Sequence, residues 1–314
     1  MNPDSSQAII DRIRRTPGEW LYHYTTLTTA LVFVLPSLML RFSPFSEMRD
    51  PREFKRWWTS AVGYADNMEA WTRAALEADE HANALRDQFK LLSLTADEEN
   101  SATDIFERGF ARSRLWELYA DRARGICLVL NRDSAISSIS EQLASLGQAD
   151  HGLVRYRNES LSRAVSVTIS SENDVDEIAN RIVESHMHSF LTKNKEWESE
   201  REYRFIVRTH QQHEYVAIRD SLAAVVLGPD ARDAQFAMRL VASELDIGLG
   251  WLEQRQGEPP QRTFRHTGPG ENHPLGQSAR GCPVPATDEL DEAVLGGRGD
   301  GLGADRLAPV THCE

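Results

Sequence analysis

Three stretches of the sequence hold side chains that a plain scaffold would not need. The run Lys193-x3-Trp197-x2-Glu200-x-Glu202-x-Arg204 gathers an ammonium, two carboxylates and a guanidinium. If this run is extended, Glu200, Glu202 and Arg204 share one face, and Arg201, Tyr203 and Phe205 share the other. Two carboxylates and a cation in one row can bind sugar hydroxyls and stabilise developing positive charge. The same row also reads as a solvated strand face with an ion pair along it. The second stretch, Leu21-Tyr22-His23-Tyr24-Thr25, sets an imidazole among bulky strand residues. The third is Leu115-Trp116-x-x-Tyr119-Ala120-Asp121, followed by Gly125-Ile126-Cys127. It puts an aromatic ring at a helix end just before a buried strand. Trp116 and Tyr119, at helical spacing, read equally well as packing residues.

Such groups act only if regular elements hold them. Alternation predicts a strand over Trp20–Tyr24, and a short helix follows over Leu27–Leu35, ended by Pro36. Leu38–Phe42 reads as a strand, Asn67–Gln88 as an amphipathic helix and Phe89–Leu94 as a strand. Thr103–Asp121 reads as a helix broken by Gly125, and Ile126–Leu130 as a buried strand. Leu153–Arg157 is a further strand. Val175–Leu191 is a helix with His186 on its core face and His188 toward solvent. Glu202–Val207 and Tyr215–Ile218 read as strands joined by a polar turn. Ala223–Leu227 is a strand closed by Gly228-Pro229, and Asp230 caps a helix carrying Ala234, Met238, Val241 and Leu245. Ile247–Leu252 ends the body. Interleaved strands and helices without βαβ repetition give an α+β class.

The chain has 314 residues and a formal charge of −13. Residues 257–314 hold 10 of the 19 glycines, 7 of the 13 prolines and no Trp or Tyr. That composition predicts a disordered tail behind a single α+β domain over 1–256. The acidic balance argues against bulk attraction to nucleic acid or an anionic membrane, but not against one compact nucleotide. Three cysteines are not a disulfide framework, which points to a reducing, cytoplasmic compartment. Leu21–Leu40 carries no charged side chain and has the length of a membrane span. His23, four threonines and Pro36 within it favour strand, helix and strand instead, so no membrane partner is expected. No phosphate-binding P-loop, nucleophile elbow or zinc-spaced cysteine pair is present, and no metal is expected.

Together the three blocks resemble an uncharacterised bacterial domain family. Its signature opens with Tyr-His-Tyr-Thr-Ser/Thr and passes an Asn-Asp-Pro turn. It continues with Trp-x-x-Tyr-Ala-Asp then Gly-x-Cys, and closes with Lys-x3-Trp-x2-Glu-x-Glu-x-Arg. The resemblance spans about residues 20–230 and includes Val226-Leu227-Gly228-Pro229. Arg49-Asp50-Pro51 departs from it, with Arg in place of Asn, and Ser93-Leu94-Thr95 stands where the family has Cys-Phe-Ser.

The family has no settled activity, but its layout is similar to ADP-ribosyltransferases of the His-Tyr-Glu type. That similarity implies a split mixed or antiparallel sheet flanked by helices. It also implies NAD as co-substrate and a macromolecular acceptor, protein or nucleic acid, as for a bacterial toxin or phage-defence enzyme. By the same resemblance His23 bonds the adenosine-side ribose and Tyr119 stacks on nicotinamide. Glu202 binds the nicotinamide ribose and stabilises an oxocarbenium ion, while Glu200 orients the acceptor or the ribose. Lys193 and Arg204 face the pyrophosphate or neutralise the glutamates. Two other functions stay open: a binding module with Lys193, Arg201 and Arg204 on phosphates, or an interaction protein working through its tail.

Overall fold

The computed structural model describes residues 3–50, 53, 61–62, 68–98, 105–158, 167–168, 175–254 and 262–266. Helix α1 (Pro3–Arg15) precedes β1 (Trp20–Thr25), β2 (Met39–Pro44) and the short β3 (Ala61–Val62). Helix α2 (Met68–Arg86) leads into β4 (Phe89–Ala96). Then come α3 (Ser113–Tyr119), β5 (Ile126–Asn131), α4 (Arg132–Ala144), β6 (Ala149–Leu153), β7 (Arg155–Arg157) and β8 (Val167–Thr168). Helix α5 (Val175–His186), β9 (Thr192–Asn194), β10 (Glu202–Arg208), β11 (Glu214–Ala217) and β12 (Leu222–Leu227) follow. The last described elements are α6 (Gln235–Leu245), β13 (Gly248–Gln254) and β14 (Arg262–His266).

The fold is mixed α+β, and β4 is the strand on which its sheet divides. Strand β10 pairs antiparallel along β4 from Thr95 to Phe89, filling one edge. The opposite edge is shared. Strand β1 takes Ala96 and Thr95, and β2 takes Leu91 and Lys90. Between them, beside Leu92 to Leu94, the two strands diverge and the sheet opens. Beyond β1 it continues through β5, β12, β13 and β14, antiparallel except for the parallel β12–β13 pair.

The period of two in β5 explains why the sheet is covered on both faces. Ile126, Leu128 and Leu130 pack with Ile139 of α4 and Met238 of α6. Cys127 and Val129 pack with Ile10 and Ile13 of α1, Trp116 of α3 and Tyr22 of β1. A third cluster joins α2 and α5 to Phe89, Leu91 and Ile206 of the β4–β10 pair.

Several expectations change. The stretch read as one helix to Asp121 contains two 3-10 turns, Ile105–Glu107 and Gly109–Ala111, before α3. A Cβ on Gly109 would lie 2.1 Å from the Tyr22 ring, so the chain passes flat beneath that ring there. Pro36 does not stop its helix. A π-helical turn over Ala30–Val34 precedes it, and the stop comes at left-handed Leu38 (φ 51°). Strands β10 and β11 form no hairpin, because β11 pairs with β2. Helix α4 was not foreseen. The segment read as a tail contains β14, which pairs with the outer edge of β13. That edge offers a row of unpaired backbone groups, and main-chain bonding needs no apolar sequence. Residues 257–261 and 267–314 lie outside the described ones. Among the described residues no helix is long and apolar enough to cross a membrane.

Candidate functional site

The divergence of β1 and β2 leaves part of the β4 edge without a strand neighbour. His23 meets this deficit, with Nδ1 3.3 Å from the Ser93 carbonyl. A carbonyl can only accept, so Nδ1 carries the proton and Nε2 keeps its lone pair. Burial lowers the His23 pKa, opposed by the bond to Ser93, so the ring is neutral at pH 7. The gap is a cavity of about 300 Å³, lined by His23, Ser93, Tyr119, Lys193, Glu200 and Glu202 among others.

Its floor is a buried charge cluster. Arg204 Nε lies 2.7 Å from Glu202 Oε1, and a second guanidinium nitrogen lies 2.9 Å from Oε2. Arg204 also pairs with Glu53 and donates to the Phe190 carbonyl at 2.8 Å. Lys193 Nζ is 2.7 Å from Glu200, 3.3 Å from Glu202 and 3.9 Å from Glu53. Burial by itself would raise the Glu202 pKa. Arg204 and Lys193 overcome it and, with a Ser93 hydrogen bond, hold the group at about 2. Burial would lower the Lys193 pKa, but Glu202, Glu53 and Glu200 raise it. Glu53 goes the other way from Glu202: burial raises it despite both cations, and the Glu202 charge adds to the rise.

The depressed Glu202 pKa makes a pH prediction. A carboxylate held at about 2 against an ordinary 4.5 stabilises the fold above pH 4.5. That contribution, on the order of 3 kcal/mol, disappears as pH falls through 4.5 toward 2. Urea titrations at pH 5 and pH 2.5 should show wild type losing more stability than Glu202→Gln. Equal losses in the two proteins would refute the assignment.

Tyr119 is set by an unusual turn. After α3, Asp121, Arg122 and Ala123 are all left-handed, with φ of 46°, 54° and 67°. Such backbone is unfavourable by about 1–2 kcal/mol per residue without compensation. Compensation comes from three bonds. The Ala123 N–H donates to the Trp116 carbonyl at 3.0 Å, Gly125 N–H to Ala120 at 2.8 Å, and Asp230 N–H to Ala123 at 3.1 Å. A Cβ on Gly228 would lie 2.1 Å from the Ala123 oxygen, so only glycine fits beneath the turn. Trp116 is buried packing, its indole N–H bonded to the Phe110 carbonyl. Tyr119 instead faces the cavity and donates its hydroxyl to Glu200 at 2.9 Å. Burial and the Glu200 charge push its pKa up, so it remains a donor. The Arg49 guanidinium lies over its ring, 4.8 Å from the centroid.

Of the residues proposed from sequence, His23, Tyr119, Lys193, Glu200 and Glu202 line one cavity. Arg204 does not. It is 0% exposed and engaged with glutamates and a carbonyl, so of its two expected roles the geometry holds the neutralising one. Glu200 also departs from expectation. It ends a 3-10 turn, Lys195–Glu200, and left-handed Arg201 (φ 45°) separates it from β10. The carboxylates of Glu200 and Glu202 meet Lys193 from a turn and a strand, rather than from one strand face. Sequence reasoning missed Glu53 and Ser93. Glu53 lies two residues past the Arg49-Asp50-Pro51 turn and Ser93 opens the Ser93-Leu94-Thr95 segment, but neither segment marks them as site residues, and topology brings them in. Among the described residues no group of His, Cys, Asp and Glu is arranged to hold a metal ion.

No curated protein and no solved structure matches the chain. One family model does, over the Leu115–Cys127 and Lys193–Arg204 blocks and not the Leu21–Thr25 block, which carries His23. Residues 115–205, with Tyr119, Lys193, Glu200, Glu202 and Arg204 among them, match the family described as Protein of unknown function (DUF2971).

Proposed function

We propose that the cleft binds NAD, cleaves the bond between nicotinamide and ribose, and passes ADP-ribose to a macromolecular acceptor. The reading rests on one observation: His23, Tyr119, Glu200 and Glu202, from three separate parts of the chain, line a single cavity. Its volume is at the small end of ligand pockets, suited to the nicotinamide riboside half of NAD.

The charge balance supports the same chemistry. Three carboxylates (Glu53, Glu200, Glu202) line the cavity beside Lys193, with Arg204 beneath them, so the floor presents carboxylate oxygens to its occupant. Such a floor favours a cation. The nicotinamide ring is cationic in NAD, and positive charge moves to ribose as the bond breaks. The bond's electron pair leaves with nicotinamide, which departs neutral. The acceptor's lone pair forms the new bond at the anomeric carbon, and its proton passes to Glu200. Neutral His23 offers Nε2 as an acceptor for a ribose hydroxyl, and Tyr119 offers a flat ring beside the leaving group.

The test is nicotinamide release from NAD by purified full-length protein in the presence of cell lysate. Wild type should release it, and Glu202→Gln should lower the rate about 100-fold or more. Circular dichroism would show that the variant is folded, and Glu200→Gln supplies a second variant. A wild type that releases no nicotinamide and labels nothing in the lysate rejects the reading. One observation favours binding without turnover: both Glu202 oxygens already accept from Arg204. On that account Glu202→Gln retains full NAD affinity and wild type shows no cleavage.

A further inference from the structure

We infer that Arg49 is the phosphate-recognising residue of this cleft and makes it selective for phosphorylated nucleosides; the inference rests on the cleft being a nucleotide site. Arg49 lines the cavity while remaining exposed, which puts it at the mouth. The other cations there are already engaged. Arg41 pairs with Glu47 at 3.0 Å, and Lys193 is held by Glu200 and Glu202. Arg204 is buried beneath the floor. Among the described residues Arg49 forms no ion pair. Its one partner is the face of Tyr119.

That stack has a chemical consequence. A guanidinium held over a ring face keeps all its N–H donors in its own plane. They remain free to take two oxygens of a phosphate side by side. Tyr119 is fixed in turn by its bond to Glu200. The site therefore differs along its depth, with carboxylates lining the floor and a cation without an ion-pair partner at the rim. The complementary ligand has a cationic or hydroxyl-rich end that enters first and a phosphate that stays at the mouth. A lysine in place of Arg49 would keep the charge but lose the planar fork of donors.

The experiment is isothermal titration of the full chain with ADP-ribose and, separately, with nicotinamide riboside. Wild type and Arg49→Gln are compared at two salt concentrations. Wild type should bind ADP-ribose, more weakly at the higher salt. Arg49→Gln should bind it about tenfold or more weakly, with a smaller salt effect. Affinity for nicotinamide riboside should be equal in the two proteins. Because Arg49 is exposed, matching thermal melts should show that the variant folds. Wild type that does not bind ADP-ribose overturns the inference, as does Arg49→Gln binding it within twofold of wild type. Arg49-dependent binding of NAD without any cleavage would sink the catalytic reading and leave this one standing.

Discussion

Arg204→Met lowers the free energy of unfolding by about 3–5 kcal/mol, the usual consequence of removing one partner from a buried ion pair. Arg204 is 0% exposed and stands between two carboxylates, Glu202 and Glu53, which are themselves buried. Methionine fills much of the same space, so the loss is electrostatic more than steric. The variant leaves Lys193 alone against three glutamates, and the Phe190 carbonyl loses its donor. The response to pH distinguishes this from a generic packing defect. Without Arg204, burial raises the folded pKa of Glu202 above its unfolded value. A carboxyl raised in the folded state binds its proton more tightly there, so stability increases as pH falls toward that pKa. Arg204→Met should therefore gain stability from pH 7 to pH 5, where wild type does not. A double variant, Arg204→Met with Glu202→Gln, should recover part of the loss. Denaturant titration of all three proteins reads these differences. An Arg204→Met protein within 1 kcal/mol of wild type, with an unchanged pH response, would show that the cluster is not what holds the floor together.

Asp97→Ala has an expected cost of similar size, about 3–5 kcal/mol, and it acts on the other end of the cleft. The Asp97 carboxylate is 0% exposed and accepts four bonds. They come from Gly18 N–H at 2.9 Å, the Tyr22 hydroxyl at 3.1 Å, Arg108 Nε at 3.1 Å and Gly109 N–H at 2.8 Å. Arg108 is also buried, and it holds the carbonyls of Ile13 and Arg14 at the end of α1. Alanine would leave that guanidinium without its charge partner and three other donors unmet. Position matters as well as energy. Asp97 directly follows β4, and Gly18 lies two residues before β1. The carboxylate thus fastens the two strands where their pairing consists of Leu21 with Ala96 and Tyr22 with Thr95. Hydrogen exchange in Asp97→Ala should accelerate first along β1, which carries His23. Asp97→Asn, which keeps an acceptor, should lose less. Unchanged exchange along β1 in a folded Asp97→Ala protein would contradict this fastening role.

Much of the fold is legible in the residues themselves. The apolar run Ile126–Leu130 can only be a strand covered on both faces, and it is β5. The Ala-rich stretch from Met68 is helical because its small residues, Ala74, Ala78 and Ala82, recur on one buried side. What local pattern cannot supply is the identity of the neighbour. Nothing near Gly109 announces that the Tyr22 ring lies against it, so a continuous helix was the reasonable reading there. Helix α4 escaped the sequence reading because serines dilute the spacing of its buried Ala135, Ile139 and Leu143. Among the site residues, those in compact motifs were found, because several chemically active groups stood close together. Arg204 belonged to such a motif, yet a charged side chain on a strand does not say which sheet face is covered. Glu53 lies two residues past the Arg49-Asp50-Pro51 turn, which does not by itself mark it, and its place follows from where the strands end up.

The order of strands also governs when and where this cleft can exist. Strand β5 falls within residues 115–205, the segment that matches the known domain family, and β10 begins there, yet the two are not neighbours. Strands β1 and β4, from earlier in the chain, stand between them. A protein reduced to 115–205 would lack the strands that stand between β5 and β10, leaving both edges of β5 and the β4-facing edge of β10 bare, a condition that promotes aggregation. The turn that sets Tyr119 is completed only by Gly228 and Asp230. During synthesis, therefore, the ribosome must release residues well past the motif before its aromatic ring has a fixed position. The cleft is a product of long-range closure, and grafting its signature residues onto another scaffold would carry the chemistry without the geometry.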